Sequence, residues 1–207
     1  GSDLTTANVT ASADTIQSES YVAYRTMLSF ANAATQPSFV ASSGESAIFR
    51  FSASNDKAYE AILNKVSFKV SASGGAITDG GSDTLKLVKY SSSNYTGQPQ
   101  EIASVALGGA IAAGASSDLA LSGFADEIDG TNYYELRVTG GYTSSASDND
   151  NITVEFLHTS TTPSVQSTAA GVTGDVVWSD RSNNGAAGYY TNDFELVFPS
   201  QGNGVRE

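Results

Sequence analysis

Cysteine is absent from all 207 residues, which removes disulfides, thiolate nucleophiles, zinc–thiolate sites and iron–sulfur clusters together. Histidine occurs once, at His158, so metal catalysis by several imidazoles is excluded by the count. Charged residues make up 15% of the chain, below the roughly 25% usual in soluble domains, and Ser, Thr, Ala, Gly and Asn take their place. Bases are scarcer than acids, 10 against 22, and the net charge of −12 repels phosphate backbones and anionic headgroups. Nucleic acid and membrane surfaces are therefore not expected as partners. Long hydrophobic runs are missing as well: the longest mild stretch, VALGGAIAAGA (105–115), falls short of the roughly 18 apolar residues of a membrane span.

Helical periodicity is also nearly missing, and a period of two recurs instead. In YVAYRTMLSF (21–30), Val22, Tyr24, Thr26, Leu28 and Phe30 share one face. In SAIFRFSA (46–53), Ala47, Phe49, Phe51 and Ala53 oppose Arg50 and Ser52. ILNKVSFKV (62–70) sets Ile62, Val66, Phe68 and Val70 against Lys65, Ser67 and Lys69. Each reads as a half-buried strand. The same pattern continues through TLKLVKY (84–90), EIASVAL (101–107), DLALSGF (118–124), NYYELRV (132–138), ITVEFLH (152–158), VTGDVVWS (172–179) and DFELVFP (193–199). DKAYEAIL (56–63) is the one stretch with the spacing of a helical turn. About ten short strands without intervening helices specify an all-β fold, an antiparallel β-sandwich of immunoglobulin-like or jelly-roll-like type.

Residues 1–19 differ in kind. They hold no aromatic and only Leu4, Val9 and Ile16 as large apolar side chains, the composition of an extended polar arm. The single sandwich domain is expected over 20–200, with a short tail at 201–207. TSTTPSVQSTAAGVTG (159–174) reads as a crossover between the two sheets, and NYYELRV and ITVEFLH as the two sides of a long hairpin.

Chemistry-bearing groups are few. His158 ends a strand, and no G-x-S-x-G elbow accompanies it, so a nucleophilic triad is not expected. Glu135 and Glu155 form the one carboxylate pair that a glycosidase could use, provided their strands are hairpin neighbours. The loop SASDNDN (145–151) offers hard oxygens for calcium from Asp148, Asn149 and Asp150, although it lacks the spacing of an EF-hand. A second acidic turn holds Asp126, Glu127 and Asp129. For both, a solvated turn favoured by Asp and Asn is the alternative. Tyr142, Tyr189 and Tyr190 are suited to an exposed contact surface, because a tyrosine ring is flat and amphipathic. The stretch VVWSDRSNNGAAGYYTNDFELVFPS (176–200) holds the single tryptophan, Trp178, and reads as a strand, a wide loop and a returning strand. Trp178 is expected in the core, with Asp180 and Arg181 holding the turn.

Several of these stretches, in this order, resemble a module of large exported surface proteins of candidate-phyla (Parcubacteria-like) bacteria. The matching residues are Tyr24-Arg25-Thr26, then Phe49-Arg50-Phe51-Ser52, then residues 63–70, and finally the Trp178-Ser179-Asp180 ending before an aspartate-aromatic strand and a proline. Phe194 stands where that module commonly carries a second tryptophan, and Phe198 where it has leucine. The resemblance implies a stalk, surface-layer or adhesive part of the cell exterior and brings no catalytic residues with it. The expected function is thus a non-enzymatic extracellular structural subunit that polymerises with copies of itself. The arm, through Leu4, Val9 and Ile16, would add a strand to a neighbour's sheet edge. A carbohydrate- or surface-binding adhesin module is the alternative, with a glycan as partner. No cofactor is expected beyond a loop calcium.

Overall fold

The computed structural model describes residues 24–38, 43–56, 59–144, 150–181 and 189–199, together with the backbone of 203–206. In chain order its strands are β1 (Leu28–Asn32), β2 (Ser46–Asn55), β3 (Ala61–Ser73), β4 (Ala76–Ile77) and β5 (Thr84–Tyr90). Next come β6 (Gln100–Ala106), β7 (Ser116–Ile128), β8 (Thr131–Val138), β9 (Tyr142–Thr143) and β10 (Asn151–Phe156). The last are β11 (Val165–Gln166), β12 (Val177–Ser179), β13 (Tyr190–Thr191) and β14 (Asn203–Arg206). Among the described residues the helical content is a single 3-10 turn, Ala169–Gly171.

Two antiparallel sheets pack as a sandwich. The first runs β1-β2-β8-β5-β6. The second is organised around β3, which pairs β7 along one side and, on the other, β12 near its start and β10 near its end. Strands β13 and β11 continue outward from β12, and β14 continues from β10. A small β4–β9 ladder closes one end.

The alternation that makes these strands also makes the core. Phe49 and Phe51 from β2, Phe68 from β3 and Phe156 from β10 turn inward and meet ring to ring, with Phe51–Phe156 centroids 5.0 Å apart and Phe68–Phe156 4.8 Å apart. Tyr134 stacks on Phe51, and Phe30 joins the cluster from the edge strand β1. Each ring removed from water stabilises the sandwich by about 1.5–3 kcal/mol before its ordering cost.

Bulges account for most departures from simple alternation. The β2–β8 register shifts between Ala47 and Phe49, so Ile48 and Phe49 are both buried while Ala47 is half-exposed. The β3–β7 register shifts at Asn64, so Ala61 and Leu63 turn inward and Ile62 does not, whereas Val66, Phe68 and Val70 keep the expected inward face. A one-residue slip reverses every side chain beyond it.

Three connections differ from the sequence reading. Strands β8 and β10 are not a hairpin: β8 lies in the first sheet between β2 and β5, and β10 in the second beside β3. Residues 159–174 do not cross between sheets, because β10 and β12 belong to the same one. Residues 193–199 form no strand of their own beyond a parallel bridge of Val197 to Ser29, and the strand returning after Trp178 is β13 instead. The physical reason lies at Asn192 and Asp193, whose side chains saturate nearby backbone groups and turn the chain away from the ladder. The 56–63 stretch forms no helix in its described part; Ala61 already belongs to β3.

Candidate functional site

Trp178 is built into a corner rather than a platform. The ring is buried at 1% exposure, lies 5.2 Å from Tyr24, and donates its indole N–H to the Asn192 carbonyl at 3.0 Å. Around it the chain is sewn by short polar side chains. Asp193 accepts from the Ser160 hydroxyl at 2.7 Å, the Ser160 N–H at 3.1 Å, the Asp175 N–H at 3.0 Å and the Val176 N–H at 3.3 Å. Burial opposes its charge, but these donors prevail and hold its carboxyl below the ordinary aspartate range. Asn192 donates to the Thr162 and Thr173 carbonyls and accepts from the Ser164 N–H. Asp180 receives the Arg25 N–H at 2.8 Å, and Arg181 reaches Glu60 and Glu127. The polar groups of Trp178, Asp180, Arg181, Asn192 and Asp193 thus tie neighbouring loops together.

Glu135 and Glu155 cannot cooperate. They stand on the outer faces of opposite sheets, because β8 and β10 are not neighbours. Glu155 is exposed and pairs in register with Lys69. Glu135 is buried at 1% exposure, clamped by Arg50 at 2.6 Å and Arg137 at 2.7 Å, with the Tyr90 hydroxyl at 3.3 Å. Arg137 also reaches Glu45, and Lys86 bridges Glu45 and Glu101. Burial works against the Arg137 charge, yet Glu45 and Glu135 outweigh it and raise its pKa further. Tyr95 covers this network with its hydroxyl donated to the Phe51 carbonyl, and burial pushes its pKa up to about 12. The charges of this network are paired with one another across the outer face of the first sheet.

The remaining expected residues disperse. Tyr142 is buried at 2%, with its hydroxyl between the Gly75 N–H and the Ser73 carbonyl, so it is a packing residue and not a contact surface. A tyrosine between two glycines and a threonine looks exposed in sequence, and only the β4–β9 pairing reveals its burial. Tyr190 is half-buried within β13, and Tyr189 alone is well exposed, at 57%. Asp148 and Asn149 lie outside the described residues, as do Leu4, Val9 and Ile16, and Asp150 is buried at 7%. Among the described residues no three acids or histidines converge on a point where a cation could sit. Asp126, expected in a solvated turn, is buried and joins the sheets: it binds Lys89 of β5 and accepts from the Tyr134 hydroxyl and from Asn132 at 3.0 Å. His158 is exposed and stacked flat on Phe198 at 4.8 Å.

Two features that sequence reasoning missed lie side by side on the second sheet. The first is a groove of about 570 Å³ on its outer face, with Lys65 in its floor, Ala120 and Ser122 on one side, and Ala169, Ala170 and Val172 on the other. It arises from the bulge at Asn64, where β7 offers Gly123, Phe124 and Ala125 against one residue of β3. Gly123 takes φ +80°, a left-handed value that disfavours any side chain. Asn64 donates to the Phe124 carbonyl at 3.1 Å, while its buried Oδ1 has no hydrogen-bond partner among the described residues.

The second feature is the outer edge of β7. Its ladder to β3 is the only one it makes among the described residues, and β6, the neighbouring edge of the first sheet, lies alongside without pairing to it. Ala72 of β3 turns its N–H and C=O toward Ala115 and Gly114. Alternation along the antiparallel ladder then turns those of Ser117, Leu119 and Leu121 toward β3. The N–H and C=O groups of Ser116, Asp118, Ala120 and Ser122 are left facing the open side, and all four residues are exposed. This run carries one charge and no proline, the usual guards of an edge strand. The other flank of the sandwich is different: Phe30 of the edge strand β1 donates its N–H to the Val197 carbonyl at 2.8 Å. In comparison with known proteins, no family model and no curated sequence matches the chain.

Proposed function

We propose that this chain is a non-enzymatic structural subunit of the cell exterior, a β-sandwich block of a surface layer, stalk or filament. It joins its copies by adding the N-terminal arm of one subunit to a sheet edge of the next. The observation that carries the reading is the nearly uncharged outer edge of β7, whose backbone groups make no ladder among the described residues and are of the kind that accepts an added strand. The saturated networks around Glu135, Asp126 and Asp193 support the non-enzymatic half, since each acid is already committed to structural donors. The test is removal of residues 1–19, followed by size-exclusion chromatography and electron microscopy. The truncated chain should keep its fold and lose assembly; polymers of the truncated chain would overturn the reading.

A second reading, a carbohydrate-binding adhesin module, is favoured by the groove alone. Its buried Asn64 acceptor suits a sugar hydroxyl, and Phe124 offers a ring wall. Binding on a glycan array, lost in Phe124→Ala and unaffected by a chelator, would select this reading over the first.

A further inference from the structure

The residues before Tyr24 contain a pattern that fits the open edge. Residues 7–14, ANVTASAD, alternate without a break: Ala7, Val9, Ala11 and Ala13 on one parity, Asn8, Thr10, Ser12 and Asp14 on the other. That is the period of a strand with one small apolar face and one polar face. The seam between the sheets asks for such a face. Leu119 and Leu121 of β7 are buried there, and Ala103 and Val105 of the adjoining β6 are partly buried, so the face of an added strand turned to the seam meets apolar side chains. The outer side of the same edge shows Ser116, Asp118, Ala120 and Ser122, which match a polar face.

Chain direction separates a second copy from self-addition. Arg25 is tied to Asp180 and to the Arg181 carbonyl, and Arg181 reaches Glu127, so the described chain begins at the C-terminal end of β7. A segment reaching Tyr24 straight along β7 would run parallel to it. A second copy is free to run antiparallel, the better-bonded arrangement. We propose that residues 116–122 of β7 are the acceptor edge of the assembly and that residues 7–14 of a second copy are the donor strand, antiparallel, with Ala7, Val9, Ala11 and Ala13 toward the seam.

This inference rests on the assembly reading above, and the experiment separates the two. Ala120→Pro removes one N–H from the open edge while leaving the donors of Leu119 and Leu121 to β3 in place. Circular dichroism and thermal melting verify that the variant folds. The concentration needed for assembly should rise at least tenfold. In parallel, chains carrying Ser12→Cys are mixed with chains carrying Ala120→Cys; the parent has no cysteine, so a disulfide-linked dimer that forms in the mixture and in neither variant alone reports this junction. A cross-linked dimer from the mixture is expected, with Thr10→Cys as the neighbouring register on the same face. If truncation at residue 19 abolishes assembly but Ala120→Pro assembles normally and neither mixture cross-links, the acceptor edge is overturned while the assembly reading survives. A chain carrying both cysteines that closes only on itself, as a monomer, overturns the second copy as donor. If the truncated chain still assembles, both fall.

Discussion

Replacing Trp178 with phenylalanine isolates what the corner contributes. Phenylalanine keeps an aromatic ring against Tyr24 but removes the indole N–H that meets the Asn192 carbonyl at 3.0 Å. That carbonyl lies in a buried setting, Asn192 itself being 4% exposed, and leaving such an acceptor unpaired costs about 1–3 kcal/mol. The smaller ring also leaves a void of roughly 40 Å³, worth about 1 kcal/mol at the usual cavity cost. Together the loss is about 2–4 kcal/mol, which for a domain of this size lowers Tm by about 4–16 °C. Differential scanning calorimetry and far-UV circular dichroism read this without the tryptophan as probe. Tyr24→Phe is the control. It keeps the ring contact and removes only a half-buried 3.3 Å bond to Thr191, so it should cost under about 1 kcal/mol. Equal shifts in the two variants, or a Trp178→Phe shift below about 2 °C, would refute the corner as a fastening of the fold.

Two further expectations concern buried acids. The Asp193 carboxyl titrates below its unfolded range, so its stabilisation is fully present above the unfolded value near about 3.9 and is lost as pH falls through the lower folded value. Melts from pH 6 to pH 2 should show a steeper acid loss for the parent than for Asp193→Asn, and parallel curves would contradict this. Glu135→Gln leaves Arg50 and Arg137 without their shared carboxylate. Because both arginines retain some solvent, the cost should fall at or below the low end of about 3–5 kcal/mol in urea unfolding, and a neutral result would show that the network is dispensable.

The sandwich was legible because a period of two survives in single sequences: the inward face of Val66, Phe68 and Val70 follows directly from their spacing. What was not legible is pairing at a distance. Nothing local in NYYELRV and ITVEFLH reveals that they join different sheets, and that assignment decides whether Glu135 and Glu155 can meet. Bulges were equally hidden, since the slip at Asn64 that opens the groove depends on β7, about sixty residues away. Asp193 read as the start of a strand, whereas its short side chain, like that of Asn192 in the preceding loop, had stronger local partners. The open edge of β7 could be suspected from the near absence of charge in SSDLALS, but only the sheet order shows that no strand of the described residues covers it.

The central place of β3 bears on how the chain acquires its structure in time. This one strand is completed by residues 116–128, 151–156 and 177–179, all far downstream of it. Contacts of such long sequence separation put the loop-closure cost before the reward, which places folding in the slow, millisecond-to-second range of β-rich domains. During synthesis one flank of β3 can be covered once residue 128 is available, but the other stays incomplete until β10 and finally β12, near residue 179, have been made. The second sheet is therefore completed only by the last third of the chain.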